Sequence, residues 1–168
     1  MRPPARCLLA LLVILIPTAL ARAEDQPAAP QRQSPHYSTQ TGPLRIAIIR
    51  MTHGHVEGLL WNGRERDDIE IVGIYEPDEA LFTRLAAKYD LDPALRFIDL
   101  DAMLDAMRPE AVSVMGSIRE HLEAVEACAP RGIHLLVEKP LAFDADTAHR
   151  MADLATRHGV LLLTNFET

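Results

Sequence analysis

The feature that most constrains the fold is a regular alternation of short apolar runs with amphipathic segments between residues 44 and 165. The apolar runs are rich in Ile, Leu and Val, which is typical of strands that are buried on both faces. The segments between them carry apolar residues at helical spacing, as at Leu81, Phe82 and Leu85. Strands that alternate with helices predict βαβ units and a parallel sheet with helices on both faces.

The pattern predicts six strands, at residues 44–49, 69–75, 96–98, 111–115, 133–137 and 160–163. Helices are predicted at residues 55–61, 78–89, 100–107, 118–129 and 145–158. Asp99 and Asp144 are expected to be N-caps, and Gly159 is expected to end the last helix. Six strands fit the doubly wound order 3-2-1-4-5-6 of a Rossmann-like α/β domain, here residues 44–168.

Residues 1–23 have the layout of a secretory signal peptide. Arg2 and Arg6 precede an apolar run at residues 8–20, and Ala21-Arg22-Ala23 forms a cleavage signal. The arginines are not adjacent, so a Sec-type signal and a periplasmic or secreted protein are expected. The run is short for a bilayer. No stable membrane anchor is expected after cleavage, although an uncleaved anchor is the alternative.

Residues 24–43 are predicted to be a disordered linker, because prolines among Gln, Ser and Thr give no apolar period. The rest of the chain is globular in composition, with 48% apolar and 24% charged residues overall. The net charge of −7 and the lack of a basic cluster exclude nucleic acid as an expected partner. Cys128 lies in an apolar helical pattern and is expected to be a core residue.

The fifth predicted strand ends in Glu138-Lys139-Pro140. Pro140 cannot extend a central strand, so a carboxylate and an amine are expected at the carboxyl edge of the sheet. Ligands bind at this edge in open α/β sheets. The alternative is an ordinary surface ion pair between Glu138 and Lys139.

The turn after the first strand lacks the glycines of the G-x-G-x-x-G dinucleotide fingerprint. The turn must therefore differ in shape, or its phosphate site must be weaker. Thr52, His53, Gly54 and His55 are the candidate cofactor contacts, because the following helix presents N–H groups to an anion. The H-x-H pair alone is weak support for a metal site, and no metal is expected. Simple turn residues are the alternative.

Glu76 follows the second strand, near the spacing of the acid that binds a ribose 2′-hydroxyl. A carboxylate there would repel a 2′-phosphate, so NAD is expected in preference to NADP. The alternative is an ordinary acid before a helix.

Several segments resemble the glucose-fructose oxidoreductase/inositol dehydrogenase/MocA (Gfo/Idh/MocA) family, in its N-terminal nucleotide-binding domain. They are A-V-S-V with H-L-E-A-V-E-A-C, G-I-H-L-L-V-E-K-P-L-A, and H-G-V-L-L-L-T-N. The resemblance implies that Lys139 lies beside the nicotinamide and substrate as the catalytic acid–base group. Glu138 would position the cofactor ribose or Lys139, and Asn165 would contact substrate. The loop with Ser117 and His121 would pass the nicotinamide, although only His121 matches the family's usual T-P-N-x-x-H.

The resemblance implies a nicotinamide-dependent oxidoreductase that transfers hydride at a sugar-like or polyol alcohol. Cleavage of glycosidic bonds by the same redox cycle stays open. The family's C-terminal α+β domain is absent from the 168 residues, so a truncated chain that self-associates, as a homo-oligomer, is expected. The alternative is a secreted, non-catalytic binding or scaffold protein with a degenerate nucleotide site.

Overall fold

The computed structural model describes residues 42–166, so the predicted signal peptide and most of the predicted linker lie outside it. Its strands are β1 (Leu44–Ile49), β2 (Ile69–Tyr75), β3 (Arg96–Phe97), β4 (Ala111–Val114), β5 (His134–Glu138) and β6 (Leu162–Asn165). Its α-helices are α1 (His55–Gly63), α2 (Glu79–Tyr89), α3 (Leu100–Met107), α4 (Ile118–Cys128) and α5 (Ala145–His158).

The six strands form one parallel sheet in the order β3-β2-β1-β4-β5-β6. This confirms the predicted doubly wound α/β fold. The chain passes from one half of the sheet to the other between β3 and β4, so β1 and β4 are neighbours in the centre. Ligands bind at such a switch point in doubly wound sheets, above the carboxyl ends of the strands.

Successive strand residues point to opposite sides of the sheet, so continuous apolar strands make both of its faces apolar. Ile48 and Ile74 pack with residues of α1 and α2 on one face. Ile49, Val114 and Val137 pack with residues of α3, α4 and α5 on the other. Cys128 is buried in this second cluster, as predicted, and burial raises the pKa of its thiol to about 12.

Short polar side chains begin the helices, as the capping rules predict. The carboxylates of Asp78, Asp99 and Asp144 accept hydrogen bonds from the amides of Leu81, Ala102 and Thr147. Gly159 ends α5 at φ 67°, so the predicted caps and this helix end are confirmed. No helix in residues 42–166 is long and apolar enough to cross a membrane.

The largest corrections concern the ends of the last strands. β5 begins one residue later than predicted and includes Glu138, while β6 is two residues further along the chain than predicted. The reason is pairing: Glu138 lies opposite Asn165 in the parallel ladder. Strand ends therefore follow the neighbouring strand, whereas the prediction followed the apolar run. Other boundaries differ by one or two residues. β3 is two residues long, and helix α1 extends to Gly63. Met115 falls just outside β4, Asp78 just outside α2 and Ala129 just outside α4.

Candidate functional site

Two connections and three strand ends meet at the carboxyl edge of the sheet. The turn from β1 to α1, the end of β2 and the loop from β4 to α4 lie around the centre, and β5 and β6 end beside them. The polar side chains at this edge form two groups. One surrounds Arg50 and the other surrounds Glu138.

Arg50 occupies the position of the first fingerprint glycine and adopts a left-handed conformation, with φ 67°. The turn therefore keeps a backbone shape that glycine would favour, at a cost of roughly 1–3 kcal/mol for a larger residue. Gly54, at φ −59°, is the N-cap of α1 and makes no special backbone contribution.

The Arg50 side chain lies between two carboxylates. Its Nη1 donates to Oε1 of Glu76 over 2.9 Å, and its Nε lies 2.6 Å from Oε1 of Glu120 without the alignment of a hydrogen bond. Gly116 provides the necessary space: a Cβ there would lie 3.0 Å from Cγ of Arg50 and 2.7 Å from Oε2 of Glu120. The space beside Gly116 is thus next to this ion pair.

Glu76 is 0% exposed and both of its carboxylate oxygens accept hydrogen bonds. Besides Arg50, the donors are the amides of Met51, over 2.8 Å, and Asp78, over 3.0 Å. Glu76 therefore joins the turn after β1 to the end of β2. A ribose hydroxyl can reach this carboxylate only if Arg50 moves.

The loop before α4 is held by a capping box. Both the amide and the hydroxyl of Ser117 donate to Oε2 of Glu120, over 2.7 and 2.8 Å. Partial burial raises the pKa of Glu120, but these bonds and the Arg50 guanidinium outweigh burial and hold that pKa below its ordinary value. Ser117 itself is exposed at the rim of the edge.

His121 lies beneath the surface and is fully buried. Its Nδ1–H donates to the carbonyl of Leu141 over 3.0 Å, which ties α4 to the segment just after Lys139. Contact between His121 and a cofactor stays a prediction; in the structure His121 positions the chain that carries Lys139.

The predicted residues Thr52, His53 and His55 line the turn. The Thr52 hydroxyl and the His53 amide both donate to the carbonyl of Met115, over 3.4 and 2.9 Å. These bonds attach the turn to the end of β4. The rings of His53 and His55 meet edge to face, with centroids 4.5 Å apart.

Glu138 brings the second group together. Its Oε1 lies 3.0 Å from Nδ1 of His55 and accepts a 2.8 Å hydrogen bond from Nδ2 of Asn165. Its Oε2 lies 3.7 Å from Nδ1 of His53. Burial raises the pKa of Glu138, but the bonds from Asn165 and His55 and the nearby His53 ring outweigh burial and lower that pKa. Asn165 supports this carboxylate, and its contact with substrate stays a prediction.

Lys139 is exposed immediately after Glu138. Within residues 42–166 it forms no ion pair, because Glu138 is engaged by His55 and Asn165. The alternative of a surface pair between Glu138 and Lys139 is therefore wrong. Lys139 is thus an exposed lysine at the carboxyl edge of β5.

Sequence reasoning missed the role of Arg50. The sequence signal for this role was a basic residue at a glycine position, with one acid at the end of β2 and another in the first turn of α4. The sequence also indicated His53 and His55 only as a local pair. Their partner Glu138 is 83 residues from His55 along the chain, so no local pattern connects them.

A doubly wound sheet with this edge defines the chain as a Rossmann domain of the nucleotide-binding type. The model of the family GFO_IDH_MocA, described as "Oxidoreductase family, NAD-binding Rossmann fold", matches residues 44–166. The chain belongs to this Gfo/Idh/MocA oxidoreductase family, which confirms the resemblance.

Two curated relatives are dehydrogenases. D-glucoside 3-dehydrogenase of Escherichia coli (strain K12) is 33% identical over 128 residues, which cover 75% of this chain and 35% of the relative. Myo-inositol 2-dehydrogenase of Thermotoga maritima is 28% identical over 126 residues, which cover 73% of this chain and 36% of the relative. The chain thus spans about a third of the length of these relatives.

Solved structures share the fold. An oxidoreductase from Agrobacterium radiobacter in complex with NAD+, L-tartaric acid and magnesium has a TM-score of 0.65 and 16% identity, covering 73% of this chain and 35% of that one. Biliverdin reductase from Synechocystis, in complex with biliverdin and NADP+, has a TM-score of 0.64 and 20% identity, covering 73% and 38%.

Proposed function

We propose that this chain is the nucleotide-binding part of a nicotinamide-dependent dehydrogenase that acts on a sugar-like or polyol alcohol. The observation that carries the proposal is the place of Lys139, exposed beside a buried Glu138 at the carboxyl edge of β5. The two curated relatives, a glucoside dehydrogenase and an inositol dehydrogenase, support the substrate class.

The described residues fit a dinucleotide at two places. The turn after β1 keeps its left-handed residue, and the space beside Gly54 at the start of α1 is open. The carboxyl edge of β5 presents Lys139 to an adjacent ligand. The fit is poorer at Glu76, whose Oε1 accepts from Arg50 and Asp78 and whose Oε2 accepts from the amide of Met51. Movement of the Arg50 side chain, which is 19% exposed, would open this third place.

When bound, the nicotinamide would accept or supply the hydride. The chain's own residues would orient the reactants and handle the proton. Lys139 would hydrogen-bond the reacting oxygen and accept or donate its proton. His121 and Glu138 would hold the segment that carries Lys139 in place, through Leu141 and through His55 with Asn165.

The test measures NADH binding and substrate turnover separately in the full chain. NADH binding is followed by calorimetry, and turnover by cofactor absorbance with glucosides and inositols as substrates. Lys139→Met should reduce turnover by about 10²–10⁴-fold while the NADH dissociation constant stays similar. Lys88→Met, which alters an exposed lysine on α2, is the control and should keep full turnover. Turnover that survives Lys139→Met would contradict the catalytic role.

One observation favours a second function, that of a binding protein with a degenerate nucleotide site. Arg50, paired with two carboxylates, stands at the position of the first fingerprint glycine, next to where a pyrophosphate would bind. The same calorimetry separates the two functions. Binding of a sugar without any binding of NADH or NADPH would support the second function and overturn the first.

We also propose that the chain is exported through a Sec-type signal at residues 1–23 and works in the periplasm or outside the cell. The support is the charged start, the apolar run and the Ala21-Arg22-Ala23 signal.

A further inference from the structure

Three potential metal ligands from separate parts of the chain converge above the carboxyl end of β5. They are His53 in the turn after β1, His55 at the start of α1 and Glu138 at the end of β5. One ligand atom from each lies within 4.8 Å of the others. The fold therefore assembles a group that the local H-x-H motif did not indicate.

The spacing is close to that of a bound ion. Two ligand atoms at ~2.0–2.1 Å from a tetrahedral Zn²⁺ lie about 3.3 Å apart. Oε1 of Glu138 is 3.0 Å from Nδ1 of His55, and Oε2 is 3.7 Å from Nδ1 of His53. An ion bound by all three would replace two present bonds, the 3.3 Å bond from the His55 amide to Nδ1 of His53 and the 3.0 Å bond between Nδ1 of His55 and Oε1 of Glu138.

An independent observation points to a cation as a ligand of this group. Glu138 is 1% exposed, and its Oε2 is buried without a hydrogen-bond partner among the described residues. A buried carboxylate oxygen normally has a partner, because leaving it unpaired is costly. This oxygen faces the His53 ring, on the side where the ion would lie.

A supporting contact orients the carboxylate. Asn165 donates from Nδ2 to Oε1 of Glu138 over 2.8 Å. Hydrogen bonds of this kind fix metal-binding groups in position and commonly change metal affinity by about 10–100-fold. The side chains of His53 and His55 are 29% and 28% exposed, which leaves a path for an ion to enter.

We propose that His53, His55 and Glu138 form a binding site for a divalent transition-metal ion of the Zn²⁺ type, with Asn165 as a positioning residue. Two imidazoles and one carboxylate suit Zn²⁺ and its neighbours Co²⁺ and Fe²⁺, with a fourth position open to water or a ligand. Mg²⁺ and Ca²⁺ prefer oxygen ligands and fit this set poorly. The proposal does not rest on the dehydrogenase function.

The experiment titrates the untagged, chelator-treated full chain with Zn²⁺ by calorimetry, and with Co²⁺ by visible absorption. One equivalent should bind, and Co²⁺ should give the intense bands of a four-coordinate site. His53→Gln, His55→Gln and Glu138→Gln should each weaken Zn²⁺ binding by at least about 100-fold, and Asn165→Ala by about 10–100-fold. His149→Gln, an exposed histidine on α5, is the control and should leave affinity unchanged.

Thermal unfolding with and without Zn²⁺ checks the same variants for folding, because an ion that binds only the native state raises the melting temperature. The rise should occur in the parent and in His149→Gln, and should be lost in the site variants. Equal affinity in parent and site variants, or binding of less than one equivalent, would overturn the proposal. NADH titration of the metal-free chain separates this result from the dehydrogenase proposal, since either can fail alone.

Discussion

Arg50 and Glu76 form a 2.9 Å ion pair across the first turn of the sheet, and Arg50 stands at the position of the first glycine of the G-x-G-x-x-G fingerprint. Glu76 is fully buried, and Arg50 holds φ at 67°. In place of a glycine with its conformational freedom, the turn has a charged contact that connects the ends of β1 and β2. The turn is thereby held together by side chains as well as by its backbone.

Arg50→Gly should destabilise the fold even though it relieves the strained φ. Glycine removes roughly 1–3 kcal/mol of backbone strain. It also leaves the buried Glu76 without its cation, which lowers the free energy of unfolding by about 3–5 kcal/mol. The net loss in unfolding free energy, taken from the middle of the two ranges, should be about 2 kcal/mol by urea denaturation.

Arg108→Gly is the matched control for strain. Arg108 also has a positive φ, of 45°, but it is an exposed C-cap of α3. Glycine there should be neutral or stabilising by up to about 1 kcal/mol. If Arg50→Gly stabilised the protein as Arg108→Gly does, the ion pair with Glu76 would contribute nothing.

Glu76 should also decide the choice of cofactor if a dinucleotide binds. Glu76→Ser removes the carboxylate that would repel a 2′-phosphate, so NADH should bind more weakly and NADPH relatively better. The measurement is the ratio of the two dissociation constants, compared with that of Glu79→Ser, an exposed acid on α2. Equal ratios in the parent and in Glu76→Ser would remove Glu76 from this role.

The sheet and most helices could be predicted because each strand is an apolar run and most helices have a polar cap. Asp99 and Asp144 mark the starts of α3 and α5, and Gly159 marks the end of α5. These capping signals are local and can be recognised in a single sequence. The end of β5 could not be placed in this way. It depends on the pairing of Glu138 with Asn165, a contact between distant residues.

The site was predictable in its location but not in its contacts. Lys139 and Glu138 were placed at the carboxyl edge by Pro140 and the preceding apolar run. Which side chains meet Glu138 depends on how β1, β5 and β6 align, so the approach of His53 and His55 had no local signal. Arg50 was missed because the partners of its side chain, Glu76 and Glu120, are distant along the chain.

Glu120 should make stability depend on pH. Its pKa in the folded chain is below the ordinary value of about 4.5, so its contribution is present above that pH and is lost as pH falls through the folded pKa. Glu120→Gln keeps the capping oxygen but loses the charge facing Arg50. The variant should be about 1 kcal/mol less stable at neutral pH, with the difference vanishing in acid.

The measurement for Glu120 is urea denaturation of parent and variant from neutral to acid pH. Glu123→Gln, an exposed acid on the same helix, is the control and should show no such trend. A stability difference that persists unchanged below the folded pKa would contradict an electrostatic origin.

Export predicts a particular mature chain. Cleavage after Ala23 should leave Glu24 as the N-terminus, and the chain should be found outside the cytosol. Intact-mass analysis of protein from the periplasm or medium measures this directly. Ala23→Leu should block cleavage, because the signal requires small residues at this position, while Ala28→Leu in the predicted linker should not. A parent chain that begins at Met1 would contradict the signal-peptide assignment.

The outer edge of the sheet should drive self-association. β6 is the last strand, and Leu163 and Phe166 on or beside it are 53% and 70% exposed. An edge strand with exposed apolar side chains presents unpaired backbone groups and a surface that favours pairing with another chain. Sedimentation should therefore detect dimers or larger species at high concentration.

Leu163→Lys with Phe166→Ser should weaken association about tenfold or more, since charge on an edge strand opposes pairing. Trp61→Ser, which removes an exposed apolar residue from α1 instead, should leave association unchanged. A parent chain that stays monomeric at every concentration would show that this edge does not pair.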